Sequence, residues 1–175
     1  NINLPALVGA TMGRDAYSVP IVKKKMRSSN SLLRSIAVKL TCNLGDRELQ
    51  EEVLSLLRHD SSWRVRLEAI KAVGKMHILE ARHDLEEILS NQESTAEDKA
   101  AAIASMLELF RSVDGDEISR LATSDRAGLR MLACELLAYF ELKSDLSRIR
   151  PLIEDVHPEV RAAALKAFGF LHVDL

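Results

Sequence analysis

Trp63-Arg64-Val65-Arg66-Leu67-Glu68-Ala69-Ile70-Lys71-Ala72-Val73-Gly74-Lys75-Met76 is the stretch that decides the fold. It reads as an amphipathic helix, and it is not alone. Glu159-Val160-Arg161-Ala162-Ala163-Ala164-Leu165-Lys166-Ala167-Phe168-Gly169-Phe170-Leu171 is the same phrase again. Leu129 to Phe140 is a third copy, Leu33 to Leu44 a fourth, and Lys99 to Leu109 a fifth, with Asp98 in place of the leading apolar residue.

One small residue lines up in all five copies: Ala37, Ala69, Ala102, Ala133 and Ala164, at steps of 32, 33, 31 and 31 residues. Five positions at nearly constant spacing are the signature of a repeat architecture. Five residues further on, Cys42, Gly74, Ala138 and Gly169 are small again, and Leu107 is the exception. Small residues recurring on one face let a neighbouring helix approach closely.

A second apolar pattern follows each copy except the last. Val53, Leu56 and Leu57 are followed by Leu85, Ile88 and Leu89, then by Ile118, Leu121 and Ala122, then by Ile149, Leu152 and Ile153. The spacing i, i+3, i+4 marks one face of a second helix. Short polar turns such as Gly45-Asp46-Arg47 and Asp114-Gly115-Asp116 join the two helices of a pair. Asn30, Asp60, Thr95, Asp125 and Asp155 precede the first helices and are predicted N-caps. Thr95 with Asp98 resembles a capping box, and Pro158 suits a first helical turn. The units are then 1–27 (partial), 28–58, 59–91, 92–122, 123–154 and 155–175 (partial), one repeat domain spanning 1–175. The last unit holds only a first helix, whose Val160, Leu165, Phe168 and Leu171 form a face that seeks a neighbour, so a longer array is expected.

Composition narrows the function classes. Lys and Arg number 24 against 26 Asp and Glu, a net charge of −2 that gives no electrostatic case for a nucleic-acid binder. Aromatics are only 4% of the 175 residues, which moves the expectation away from all-β folds. No apolar run reaches the roughly 18–20 residues of a membrane-spanning helix. The opening Asn1-Ile2-Asn3-Leu4-Pro5-Ala6 has no signal-peptide pattern. Cys42 and Cys134 are too few for a disulfide framework or a zinc site and read as small buried hydrophobes in a reducing, cytoplasmic setting.

The repeat resembles the HEAT repeat family, and within it the short HEAT-like repeats of phycobilisome lyases. Val160, Arg161, Ala164, Ala167, Phe168, Gly169 and Leu171 carry the likeness, as do Val65, Arg66, Ala69, Ala72, Val73, Gly74 and Met76. Val19-Pro20-Ile21-Val22 is similar to the opening of a second helix in that family. The resemblance implies an all-α fold, an α-α superhelix: a right-handed solenoid of antiparallel helix pairs of the HEAT/armadillo kind. The unit 92–122 departs most, with Leu107 where Gly or Ala is usual, and less regular pairing is expected there.

In such a solenoid the second helices line the concave wall. Their outward residues follow from a turn of about 100° per residue. They are Glu51, Ser55 and Arg58; His83, Glu87 and Ser90; Asp116, Arg120 and Thr123; and Ser147, Pro151 and Glu154. The signs alternate, which suits a protein or peptide partner better than a nucleic acid. Trp63 has only small equivalents in the other units and is either a binding anchor or a staple between units. The basic run Lys23-Lys24-Lys25-Met26-Arg27 is either an anion patch or a solvated helix end. The family likeness implies that Arg34, Arg66, Lys99, Arg130 and Arg161 form a structural ladder, bridging adjacent units through carbonyls and carboxylates.

The function expected is a non-catalytic scaffold for a protein or peptide partner, with no cofactor, metal, nucleic acid or membrane involved. The partial units would also offer faces for end-to-end self-association. The alternatives are a regulatory or substrate-recruiting module of a larger enzyme, or a metal-dependent or bilin-lyase-like activity. His59, His77, His83, His157 and His172 include no His-Glu pair, and phosphate loops and nucleophile elbows are absent from the sequence.

Overall fold

A computed structural model describes residues 18–171, and every regular element among them is helical. The opening hexapeptide, most of the first partial unit and His172 lie outside the described residues. The α-helices are α1 (Ser18–Met26), α2 (Ser31–Thr41), α3 (Arg47–His59), α4 (Trp63–Lys75), α5 (Arg82–Ser90), α6 (Ala96–Leu109), α7 (Gly115–Ala122), α8 (Ala127–Tyr139), α9 (Leu146–Ile149) and α10 (Pro158–Phe170). Single 3₁₀ turns at Leu79–Ala81 and Lys143–Asp145 lead into α5 and α9. A third, Arg150–Glu154, continues α9, because Pro151 removes an amide and clashes with an α-helical turn.

Capping explains where these helices begin. Asn30 accepts from the amides of Leu32 and Leu33 at 2.9 and 3.4 Å. Thr95 and Asp98 form a reciprocal capping box. Asp46 and Asp114 cap α3 and α7. Asp60, Asp125 and Asp155 are not N-caps: the cap positions fall to Ser62, Arg126 and His157. The reason is a competing partner at two of the three. Asp60 and Asp155 each take one amide two residues ahead and give the rest of the carboxylate to an arginine.

Two first helices end in one way. In α4 the His77 amide bonds the Gly74 carbonyl and the Ile78 amide reaches back to Val73, at 3.0 and 2.9 Å. In α8 Glu141 and Leu142 repeat this on Ala138 and Leu137, at 3.2 and 3.0 Å. This is a Schellman closure, whose pivot must be left-handed. His77 and Glu141 occupy it at φ of 52° and 53°, and Gly45, in the turn that follows α2, stands at 63°.

The chain clusters as two compact units that divide between Asp84 and Leu85, inside α5. In the first, α2 and α4 lie side by side, α1 packs on α2, and α3 packs on α4. In the second, α8 and α10 lie side by side, with α7 on α8 and the 150–154 turn on α10. The aligned alanines are the contact points: Ala37, Ala69, Ala102, Ala133 and Ala164 are each fully buried. Second-helix residues Val53, Leu85, Leu89, Ile118, Leu121 and Ile149 are buried with them. Val160, Phe168 and Leu171 are already buried in the second unit, so of the terminal face only Leu165 points outward, at 45% exposure.

The 92–122 unit is the irregular one. Its first helix, α6, shares a shorter line of contact with α8 than α8 does with α10. Leu107 stands where the other first helices carry a small residue, and it lines open space between α6 and α8. At the other end of α8, Gly128 sits against the Leu89 backbone carbonyl, where a Cβ would overlap the oxygen.

Candidate functional site

Three sets of side chains compose the polar surface of the repeats. The first is the arginine set. Arg34 donates from Nε and Nη2 to both carboxylate oxygens of Asp60, at 2.7 and 2.8 Å, while its Nη1 binds the Ser28 carbonyl at 2.8 Å. Arg130 does the same with Asp155 at 2.6 and 2.9 Å and with the Ser124 carbonyl at 2.9 Å. Both pairs are largely withdrawn from water: the carboxylate side chains are 3% and 7% exposed. The guanidinium beside Asp60 holds its carboxyl below the usual range, and Arg130 holds Asp155 down to about 2. Among the described residues Arg66 and Arg161 bond carbonyls and no carboxylate: those of Asp60 and Asp155, each at 2.7 Å, with Val156 at 3.1 Å as a second acceptor for Arg161. Thus Asp60 and Asp155 are gripped twice, at the carboxylate by the preceding unit's arginine and at the carbonyl by their own.

Lys99 makes no such bond with the described residues. A lysine lacks the planar fork that carboxylate pairing uses. The residue 26 positions after Arg66 is Gln92, not Asp, so no carboxylate stands at that point of the repeat.

The second set lies on the second helices. Glu51, Ser55, Arg58 and His83 are exposed in the first unit, and Glu87, Asp116 and Arg120 in the second. Several carry partners on the next helix. Lys23 bonds Glu48 at 2.7 Å, and Arg27 takes Glu52 in a two-point grip at 2.9 and 2.8 Å. Arg58 holds Asp84 in the same way at 2.9 and 2.8 Å. Arg120 joins Glu86 of α5 at 2.9 Å while holding Glu117 of its own helix. Arg148 reaches the Ser119 hydroxyl at 2.6 Å. The basic run around Lys23 and Arg27 is therefore anchored at both ends on α3. The separations, from 25 to 34 residues, put each bond between consecutive units. Sequence reading found Arg58 and Arg120 but missed Glu52, Asp84 and Glu86, which a search for opposite charges 25 to 34 residues apart finds, and Arg148, whose partner Ser119 carries no charge.

The third is Trp63, at the first turn of α4. It is 54% exposed, and the Arg64 guanidinium lies over its ring, 5.3 Å from the centroid. A cation on an exposed indole contributes roughly 0.5–1 kcal/mol.

Among the described residues no group of three or more His, Cys, Asp and Glu converges as a metal would need, and no helix is long and apolar enough to cross a membrane. Cys134 is buried in α8, where burial pushes its thiol up to about 12; burial also raises that of half-buried Cys42.

Helix pairs recurring about every 32 residues, with buried alanines at one register and arginine–aspartate grips between units, define an α-helical repeat protein. A family model described as HEAT repeats matches residues 19–107, just over half of the chain, and the chain belongs to that family. No curated protein matches it significantly.

Proposed function

We propose that this HEAT-repeat chain is a non-catalytic cytoplasmic scaffold that binds a protein or peptide partner along its second helices, the concave wall expected for the short, phycobilisome-lyase-type variety of the repeat. The observation that carries the proposal is the set of ion pairs from α1 to α3, from α3 to α5 and from α5 to α7. Such pairs contribute little stability, since their basic members are partly solvated. Their effect is positional: they hold charges of both signs at fixed points on each unit, and Glu51, Ser55, Glu87 and Asp116 stand exposed beside them. Fixed complementary charges select partners more than they strengthen binding. Free thiols at Cys42 and Cys134 are consistent with a reducing compartment.

The test is capture of partners from the source cell on the immobilised chain, compared with a Glu51→Lys, Glu87→Lys, Arg120→Glu variant. The charge-reversed face is expected to lose the specifically captured protein. An unchanged captured set removes the second helices as the binding face. Stoichiometric iron or zinc in the purified chain would overturn the non-catalytic assignment.

A further inference from the structure

One position of the repeat carries a different group from unit to unit. The carbonyls of Ser28, Asp60, Ser124 and Asp155 each accept from the arginine six residues on, at 2.7 to 2.9 Å. Their side chains each accept from the amide two residues on, at 2.8 to 3.2 Å. The four are therefore one place in the fold, an acid in two units and a hydroxyl in the other two. Where it is an acid, an arginine holds the carboxylate.

Ser28 is a hydroxyl set among cations. It lies in the connection between α1 and α2 and lines a concavity of about 620 Å³ with Lys23, Lys24, Lys25 and Arg27. Among the described residues that lining holds no carboxylate. Lys23 and Arg27 are pinned from the side by Glu48 and Glu52. The side chains of Lys24 and Lys25 take no partner among the described residues, and Lys24 is exposed. The dipoles of the flanking helices oppose each other, since α1 ends just before Ser28 and α2 begins just after it. The lysines thus decide the local sign. Ser124 has a different setting: Asp125 follows it and would repel a second anion.

We propose that Ser28 is a phosphorylation site, and that its phosphate takes the aspartate's place in the repeat and is held by Lys24, Lys25 and Arg27. In the transfer the Ser28 Oγ bonds the γ-phosphorus of a nucleoside triphosphate and the bond from that phosphorus to the bridging oxygen breaks. The nucleoside diphosphate leaves, and the hydroxyl proton passes to the base of the kinase. Four basic residues at positions 23, 24, 25 and 27 precede the serine and select a kinase with an acidic substrate groove. The product carries roughly −1.5 to −2 charges at neutral pH, enough to take up both free lysines.

The full chain is incubated with ATP and a purified kinase that prefers basic residues before serine, and peptide mass spectrometry locates the phosphate. It is expected on Ser28. Its absence there, or a phosphate on Ser29 in its place, overturns the proposal. A second arm needs no kinase: phosphoserine is inserted at position 28 during translation and its phosphate is titrated by phosphorus NMR. The second pKa of phosphoserine is ordinarily about 6. Between cations it is expected below about 5.5, and in a Lys24→Gln, Lys25→Gln chain it should rise back toward the ordinary value. The phosphorylated chain should also melt above the unmodified one at neutral pH, and lose that gain in the double variant. A phosphate that titrates at about 6 or higher in the native chain, or alike in the two chains, overturns its placement on the lysines.

Discussion

The guanidinium of Arg130, on α8, meets both carboxylate oxygens of Asp155, which stands before α10, at 2.6 and 2.9 Å. Its remaining nitrogen holds the carbonyl of Ser124, at the start of its own unit. One side chain thus fixes the entry of its own helix and the entry of the next. Removing one member leaves the other charged and nearly buried, with side-chain exposures of 10% and 7%. Asp155→Ala is expected to cost about 3–5 kcal/mol. Replacing both members together by apolar residues should cost less than Asp155→Ala alone. Denaturant unfolding of the two variants checks this; equal losses would show that the pair is ordinary packing.

The same pair sets a pH dependence. The Asp155 carboxyl titrates at about 2 in the folded chain, against about 3.9 when unfolded. A depressed acid gives stability that is fully present above the unfolded value and lost as pH falls through the folded one. Roughly 2 kcal/mol should therefore disappear between about pH 4 and pH 2. Asp60, held down by Arg34, acts in the same direction. Melting curves across that window should converge between the native chain and Asp155→Asn as pH falls. Parallel curves would refute the linkage.

Two glycines in helices should respond in opposite directions. Helix propensity alone favours alanine by about 1 kcal/mol at each. Gly169 has open space where a Cβ would go, so Gly169→Ala should be neutral or stabilising by up to that amount. At Gly128 a Cβ would strike the Leu89 carbonyl, a backbone atom that cannot swing aside. Gly128→Ala should cost about 1–3 kcal/mol despite the propensity gain. A difference in melting temperature of opposite sign is the readout.

What was legible in the sequence followed from repetition. Ala37 through Ala164 could be aligned because each must let a neighbour close in, and burial enforces that in every unit. The helix starts were legible at Asn30 and Thr95, where one side chain has one local partner. They were misread at Asp60 and Asp155, because the arginine that claims each carboxylate lies 25 or 26 residues away. Trp63 was visible as an anomaly, but whether an odd residue is buried or exposed depends on neighbours that a single repeat does not contain. Leu107 was legible as a break in the small-residue register, but that it lines open space beside α8 required the position of that helix.

The left-handed pivots make a further prediction. His77 and Glu141 hold φ near 52° and 53°, where a Cβ crowds the following carbonyl. Gly45 stands in the matching turn after α2 without that penalty. His77→Gly and Glu141→Gly should each stabilise by about 0.5–1 kcal/mol, even though glycine loses more entropy on folding. Thermal melts of the single variants should show the gain, and the two should add, since the pivots lie in different units. A loss at either position would mean that its side chain makes a compensating contact.

The ion pairs of the second helices should behave differently from the arginine–aspartate grips, although their geometry is nearly the same. Arg58 binds Asp84 through two bonds of 2.9 and 2.8 Å, as Arg34 binds Asp60 through 2.7 and 2.8 Å. What differs is water: the Arg58 side chain is 42% exposed and that of Arg34 is 13% exposed. Solvent and salt screen the first pair and leave the second largely unscreened. A double-mutant cycle at Arg58 and Asp84 should return a coupling of about 0–1 kcal/mol that shrinks in high salt. The cycle at Arg34 and Asp60 should return a clearly larger coupling that persists in salt. Equal couplings would mean that distance, not desolvation, governs these pairs, and the division between a structural ladder and a solvated, partner-facing surface would lose its physical basis.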